Sequence, residues 1–465
     1  MVESRAMRRP NIILIVSDDH GYADRGHLGI HADVRTPALD RLAAEGVSCD
    51  QAYVSAPICS PSRSGIITGR HQARWGVHWF DDAAFAPPDI PTLAEDLRAQ
   101  GYDTAYLGKV HYGKDKPGDR ACPNRHGFDE SYYGLAALSM GRLNYMRRSK
   151  TAVSEYGDDA ASRMGVQPFL EGDTEVDGEG FLTAELGDRA RDFVGRKTAQ
   201  QRPYFLMLAF NSVHNFCWQL PDEELEKRGL PKHPDWNPDV SDYVDWYDGA
   251  ISPNLDNGRA YYLAQLELMD AEIGKLLSLL DKTGTAGETL VVYTTDNGGS
   301  TCNYGDNTPL RGTKYTLFDG GIRVPLIARW PGGRLPAGYT ALTPASLLDL
   351  APTLLAAAGA PSGDHDGHNL LPGWTSAGED GGRVLHWDCG FQWAVREGDL
   401  KLLWVEPGSP YAEAIRQVEH TDPGSGIYLF DLAADPGEIS NLAAQRPADV
   451  SRLTQLHEAW KASCG

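Results

Sequence analysis

Two apolar runs in the chain end in acidic residues. Ile12–Val16 runs into Ser17-Asp18-Asp19-His20-Gly21, and Thr289–Thr294 runs into Thr295-Asp296-Asn297-Gly298-Gly299. Adjacent carboxylates repel each other unless a cation neutralises them. Asp18, Asp19, Asp296 and the Asn297 amide oxygen make a hard, all-oxygen donor set that suits Ca2+ or Mg2+ and not zinc. Such a set, completed by a substrate oxygen, fits the larger Ca2+ better, with Mg2+ as the alternative. Either motif alone reads equally well as a helix cap or a turn. Both together, at matching strand ends where open α/β sheets bind ligands, favour a single metal ion.

A third segment, Cys59-Ser60-Pro61-Ser62-Arg63, can address an anion. Pro61 suits the first turn of a helix, which sets Cys59 just before the helix N-terminus. Free N–H groups and the helix dipole favour negative charge there, and Arg63 adds a fixed positive charge. A plain buried cysteine ahead of a helix is the other reading, and it leaves the neighbouring motifs unexplained.

The elements that must position these groups alternate along the chain. Asn11–Val16, Thr104–Leu107, Tyr204–Phe210 and Thr289–Thr294 read as buried strands. Between them Pro37–Glu45, Thr92–Gln100, Ala184–Arg196 and Arg259–Lys282 have helical spacing, the first with Thr36 as N-cap and Gly46 as stop. Apolar strands alternating with helices predict an α/β fold whose mainly parallel sheet is covered on both faces. Arg142–Gly180 reads as polar and irregular, Leu230–Gly258 as a loop insertion, and Gly373–Gly382 as a linker. Gly390–Arg396, Leu400–Trp404 and Gly426–Leu432 then read as a small antiparallel sheet, followed by a helix over Pro447–Ala462. The expected division is a large α/β domain over 1–374 and a small C-terminal α+β subdomain over 375–465.

Composition narrows the partners. The 465 residues carry 43 Lys+Arg against 64 Asp+Glu, a net charge of -21. An acidic surface argues against nucleic acid or an anionic membrane, yet leaves room for a locally basic pocket. No stretch is long and apolar enough to span a bilayer. Met1–Pro10 is polar and basic, and the apolar run after it is too short for a signal-peptide core. The chain therefore reads as cytoplasmic, or as periplasmic or secreted had a signal been trimmed. Its seven cysteines are widely spaced and form no C-x-x-C, which argues against a disulfide framework or a structural zinc site.

Cys59-Ser60-Pro61-Ser62-Arg63, continued by Ser64-Gly65-Ile66-Ile67-Thr68-Gly69-Arg70, closely resembles the signature of the formylglycine-dependent (type I) sulfatases of the alkaline phosphatase superfamily. The resemblance extends along the chain. It includes Gly108-Lys109-Val110-His111-Tyr112-Gly113, Phe210-Asn211-Ser212-Val213-His214, and Arg311-Gly312-Thr313-Lys314 followed by Phe318-Asp319-Gly320-Gly321-Ile322-Arg323-Val324-Pro325. Asp319 stands where the family more usually has Glu. A later match, Leu429-Phe430-Asp431-Leu432 with Asp435-Pro436-Gly437-Glu438, is structural and not catalytic. The resemblance implies an alkaline-phosphatase-like sandwich and a formylglycine-generating enzyme as maturation partner. Cys59 would become Cα-formylglycine (3-oxoalanine), whose hydrate joins Asp18, Asp19, Asp296 and Asn297 around the ion. Arg63, Lys109 and Lys314 would hold the sulfate. A hydroxyl of the diol attacks sulfur, His214 with Lys314 protonates the leaving alcohol, and His111 deprotonates the second hydroxyl so that sulfate is eliminated. His20 is expected behind the site, and Arg311 in a structural pairing with an acid.

The implied function is hydrolysis of a sulfate monoester, a carbohydrate sulfate ahead of an aryl sulfate. Specificity is expected in Trp75–Pro88, Arg142–Gly180 and Cys217–Gly258, with Trp75, His78, Trp79 and Trp218 as candidate substrate wall or as core. A phosphonate monoester or phosphodiester hydrolase of the same superfamily is the nearest rival. A non-catalytic binder of sulfated glycans is another, although it need not have kept every polar residue. A two-zinc phosphatase lacks its histidines.

Overall fold

The structure is a computed structural model. It describes residues 9–464 except 81, 83, 115, 135–168, 177–179, 235–236, 238, 242–244, 247–248, 250–253, 334, 362 and 376–382. A ten-stranded sheet forms its centre. The middle of this sheet is β1 (Asn11–Ser17), β2 (Asp103–Lys109), β3 (Tyr204–Ala209) and β4 (Thr289–Thr295). They lie side by side in the order β4-β1-β3-β2, all parallel. Leu326–Arg329 adds antiparallel beside β4, and Glu130–Gly134 adds parallel beside β2. The sheet is thus mixed but mainly parallel, as the unbroken apolar strands predict.

Both faces of the central strands are buried, which is why β1 reads as a continuous run and not as an alternation. Ile12, Leu14 and Val16 join one hydrophobic core, and Ile13 and Ile15 join the other. The second core is closed by α2 (Leu182–Gln200) and α3 (Gly258–Thr283). The first is closed by α1 (Cys59–Thr68), every residue of which is buried. Trp387, Leu403 and Phe430 belong to this same first core. They come from a four-stranded antiparallel sheet, Val384–Asp388, Gln392–Glu397, Leu400–Val405 and Gly426–Asp431. The small C-terminal sheet therefore packs on the face that carries α1. Helices α4 (Pro410–Glu419) and α5 (Pro447–Cys464) complete this part.

Several sequence expectations need correcting. The C-terminal sheet has a further strand, Val384–Asp388, and α4 interrupts it before the last strand. The region read as irregular contains Phe169–Glu171 and Thr174–Val176, a short hairpin on the sheet edge. Its remainder, part of the Leu230–Gly258 insertion and most of the expected linker lie outside the described residues. Cys59 is the first residue of its helix, with Ile58 as N-cap, so Pro61 sits deeper in the first turn than expected.

Candidate active site

Strand register assembles the site. Ser17 pairs with Thr295, Val16 with Ala209, and Ala209 with Gly108, so the carboxyl ends of the four central strands finish at one level. Asp18 and Asp19 follow β1, Asp296 and Asn297 follow β4, Phe210–His214 follows β3, and Lys109 closes β2. Backbone bonds tie two of these ends together: Asp18 N–H donates to Ser212 O at 2.9 Å and Val213 N–H to Asp18 O at 2.7 Å. Close approach explains the paired glycines. A Cβ on Gly298 would stand 1.9 Å from Gly320 O, so the Asp296 turn can lie against the Asp319-Gly320-Gly321 segment only without side chains. Asp19 (φ 57°) and His111 (φ 48°) both take left-handed backbone. Such residues cost of order 1–3 kcal/mol and gather at functional sites.

The side chains form a compact, buried charge cluster. Lys109 Nζ donates to Asp18 Oδ2 at 2.5 Å, Lys314 Nζ to Asp19 Oδ2 at 2.9 Å, and Arg63 Nε to Asp296 Oδ2 at 2.7 Å. All six residues are buried. Cys59 Sγ lies 3.5 Å from Asp18 Oδ1, and His214 Nε2 lies 3.7 Å from Asp19 Oδ2. Asp18, Asp19, Cys59 and His214 each offer a donor atom within 4.8 Å of the others, a group able to hold a metal ion. Asn297 Nδ2 donates to Asp19 Oδ1 at 2.7 Å, yet the buried Asn297 Oδ1 accepts no hydrogen bond. Arg63 Nη2 likewise makes none, its nearest charge partner being Asp18 Oδ2 at 3.8 Å. A buried, unpaired amide oxygen beside carboxylates fits a cation, and a buried, unpaired guanidinium N–H fits an anion. The two carboxylates of this group, with the Asn297 oxygen beside them, fit a hard divalent ion, whereas Asp296, expected as a ligand, stands outside the group and bonds Arg63.

Burial sets the protonation states. His111 and His214 are held well below the usual imidazole range, first by burial and then by the positive charges of Lys109, Lys314 and Arg63. Both are uncharged near neutral pH. Burial, and then Asp296, pushes the Cys59 thiol up, so it stays protonated and is a poor nucleophile as a plain cysteine. Arg63 remains firmly charged, because Asp296 and Asp18 outweigh its desolvation.

The remaining sequence candidates fall into place around this cluster. His20 is buried, its ring nitrogens 2.6 Å from Tyr293 Oη and 2.6 Å from Asp24 O, and burial lowers its pKa to about 4. Arg311 donates to the carbonyl of Glu438 at 2.9 Å and packs on Phe318, so it pairs with backbone where an acid was expected. Trp218 is buried against Phe216 at 4.9 Å. Two contributors stand outside the sequence candidates. Asn303 Nδ2 donates to Asp19 Oδ2 at 2.7 Å. Glu419, at the end of α4, is buried and accepts from Ser300 Oγ, Thr301 N and Thr313 Oγ1 at 2.7, 2.6 and 2.9 Å. It thereby braces the segments carrying Asn303 and Lys314. A glutamate beside no motif gives no sequence signal, whereas Asn303 is marked only by following closely on the Asp296-Asn297 turn.

This arrangement defines an anion-processing hydrolase site at the strand ends of an alkaline-phosphatase-like sandwich, and the chain belongs to the sulfatase family, whose model matches residues 10–360. It is a hydrolase of sulfate esters. It is similar to arylsulfatase A of Bos taurus, 32% identical, with 93% of this chain and 83% of that protein covered. N-acetylgalactosamine-6-sulfatase of Canis lupus familiaris is 31% identical, with 93% and 81% covered. Among solved structures, Ps i-CgsB in complex with k-i-k-neocarrahexaose superposes with a TM-score of 0.79 at 28% identity, covering 98% of this chain and 93% of that one. Among the described residues, no helix is long and apolar enough to cross a membrane.

Proposed function

We propose that the chain hydrolyses a carbohydrate sulfate monoester, with Cys59 matured to formylglycine by a formylglycine-generating enzyme and one divalent cation, Ca2+ ahead of Mg2+. The observation that carries this reading is the pair of unsatisfied atoms in one buried cluster, Asn297 Oδ1 for a cation and Arg63 Nη2 for an anion. Asp18, Asp19, Asp296, Asn297 and residue 59 would hold the ion, with His214 close enough to share it. The ion supplies charge neutralisation at the sulfate, and the hydrated aldehyde supplies two hydroxyls where serine has one. Arg63, Lys109 and Lys314 bind the sulfate oxygens and stabilise charge in the transition state. One hydroxyl of residue 59 bonds to sulfur as the S–O ester bond breaks, and the departing oxygen, held by His214 and Lys314, takes its proton from the Lys314 ammonium. His111, uncharged in its buried setting, accepts the proton of the second hydroxyl as the C–O bond to the sulfate group breaks, which frees sulfate and restores the aldehyde. The names of the relatives, an N-acetylgalactosamine-6-sulfatase and a structure in complex with k-i-k-neocarrahexaose, support a sugar as the alcohol.

The test is a paired assay. Protein co-produced with a formylglycine-generating enzyme is given aryl sulfates, sulfated sugars, an aryl phosphate diester and an aryl phosphonate, with Cys59→Ala alongside. Faster turnover of sulfates, abolished in Cys59→Ala, is expected, together with an aldehyde mass on the Leu42–Arg63 tryptic peptide. Preference for the phosphorus esters overturns the reading, as does sulfate turnover by Cys59→Ala.

A further inference from the structure

Tyr315 directly follows Lys314 and takes left-handed backbone, φ 72°. Glycine adopts that conformation freely, whereas a bulky side chain there is strained and persists only when its surroundings hold it. Two hydrogen bonds do so. Tyr315 N–H donates to the carbonyl of Pro57, two residues ahead of Cys59, at 2.7 Å, and Tyr315 O accepts from Gln392 Nε2 at 2.6 Å. Gln392 is buried in the C-terminal sheet. The segment leading into α1 and the small sheet thus clamp one strained residue between them.

The clamp fixes where the ring lies. Its centroid is 5.3 Å from Lys314 Nζ. Trp79, a candidate wall in the sequence, is buried and packs against this ring at 6.0 Å and 52°, so it supports Tyr315 and does not itself face a ligand. Lys314 is buried too, whereas Tyr315 is only half-buried. A single side chain therefore spans the distance from the ammonium to water. Burial pushes the phenol up against the opposing charge of Lys314, so the ring stays uncharged beside the cluster.

The reaction supplies the occupant. The sulfate group belongs among the buried cations, and the alcohol attached to it has to extend past the Lys314 ammonium toward water. The first carbon atoms of that alcohol meet the ring of Tyr315. An uncharged aromatic face offers little to sulfate and packs well on the C–H face of a sugar or the face of an aryl group.

We propose that Tyr315 is a specificity-determining residue, its ring the wall on which the leaving alcohol packs, selecting alcohols that carry a ring over short acyclic ones. The inference rests on the proposed function, in which Lys314 protonates that alcohol. It also accounts for a tyrosine where the backbone favours glycine.

The experiment uses full-length matured enzyme with Tyr315→Gly, Tyr315→Ala and Tyr315→Phe. Substrates are 4-nitrophenyl sulfate, galactose 6-sulfate and N-acetylgalactosamine 6-sulfate, with inorganic sulfate and ethyl sulfate as competing ligands. In Tyr315→Gly the KM of whichever ring-bearing esters the wild type cleaves is expected to rise about tenfold or more, while the inhibition constants of sulfate and ethyl sulfate move less than about threefold. Tyr315→Phe, which keeps the ring, recovers most of that KM. The melting temperature of Tyr315→Gly stays above that of Tyr315→Ala, because only glycine is free of the strain. An unchanged KM in Tyr315→Gly with a lowered melting temperature makes the ring core packing and overturns the proposal. Parallel weakening of KM and of inorganic sulfate binding also overturns it, since the effect then passes through Lys314. A Tyr315→Phe variant as impaired as Tyr315→Gly overturns the ring as the selecting group. Each of these outcomes leaves the sulfatase reading intact, whereas a wild type that hydrolyses only phosphorus esters removes the proposed function itself.

Discussion

Two clusters of charge are buried in this molecule, and only one is left open. At the strand ends, Asp18, Asp19 and Asp296 pair with Lys109, Lys314 and Arg63. Beneath the C-terminal sheet, Lys401 Nζ bridges Asp319 Oδ1 at 2.7 Å and Glu438 Oε1 at 2.8 Å. Asp319 Oδ2 accepts from Tyr53 Oη at 2.9 Å, and Glu438 Oε2 from Asp319 N at 2.6 Å. Lys401, Asp319 and Glu438 are all fully buried. Left-handed backbone does not separate the two, since Glu438 (φ 52°) shares it with Asp19. What separates them is closure. In the second cluster every carboxylate oxygen has a partner within 3 Å, Glu438 Oε1 through its ion pair with Lys401 at 2.8 Å, whereas in the first the closest charge to Arg63 Nη2 stands 3.8 Å away and Asn297 Oδ1 accepts no hydrogen bond. Buried charge by itself identifies a well-tied core as readily as a site; the unspent donor and acceptor point to function.

Breaking either cluster strands a buried carboxylate and should cost stability, but only the first should cost the activity of the molecules that fold. Arg63→Met removes the unspent donor and is expected to cost at least about 10²–10³ in kcat/KM, the range for losing one donor to a developing charge. Steady-state kinetics on an aryl sulfate reads it, and a loss below tenfold contradicts the assignment. Lys401→Met strands two carboxylates in the interior. Removing one partner of a buried pair costs about 3–5 kcal/mol, so this variant should lose stability in a denaturant titration while folded molecules keep their specific activity. Should Lys401→Met instead lower specific activity a hundredfold without loss of stability, the two clusters are not distinct in kind.

The first cluster is largely legible in the sequence because its parts sit in short, local motifs at strand ends. Asp18-Asp19, Asp296-Asn297 and Cys59 to Arg63 stand out in the bare amino-acid order, while Lys109, His111, His214 and Lys314 stand out only through the resemblance of their segments to sulfatase motifs. The second is only half legible. Asp319 stands out as a departure from Glu, but its partner Lys401 lies within a strand, and Glu438 reads only as part of a structural segment. Pairing across such sequence distance leaves no periodic trace. Glu419 escapes for the same reason, and the strand Val384–Asp388 because a linker-like composition precedes it. Fold class is readable because both-face burial writes continuous apolar runs into β1, β3 and β4.

Glu419, from the C-terminal part of the chain, braces the first cluster and sharpens the contrast. Its carboxylate holds Ser300, Thr301 and Thr313, one position before Lys314. Glu419→Gln keeps the shape but puts an NH2 against donors. It should lower kcat about tenfold by letting Lys314 and Asn303 shift, and cost about 1.5–3 kcal/mol in stability. A purely structural brace would lower stability and leave the kcat of the folded fraction unchanged, so measuring both decides between the two.

A third buried set is built from uncharged imidazoles and should respond chiefly to pH. His457 stacks on Trp393 at 4.4 Å and 11°, while His386 stacks on Trp460 at 4.8 Å and 5°, joining α5 to the C-terminal sheet. Burial, only partly opposed at His457 by the charge of Asp388, lowers the pKa of His457 to about 4 and that of His386 to about 3, from a usual 6.5. The unfolded chain therefore binds protons that the folded one refuses, and stability is lost as pH falls from about 6.5 toward 4. His457→Phe retains the stacked ring and removes the titration. Its melting temperature should equal or exceed that of the wild type near pH 5, where folding has to strip the proton from the imidazole, and the difference should shrink toward pH 8. The expected effect is about 1–2 kcal/mol at the acidic end, smaller than any above. An equal pH slope in both proteins would place the acid sensitivity elsewhere and leave His457 as packing only.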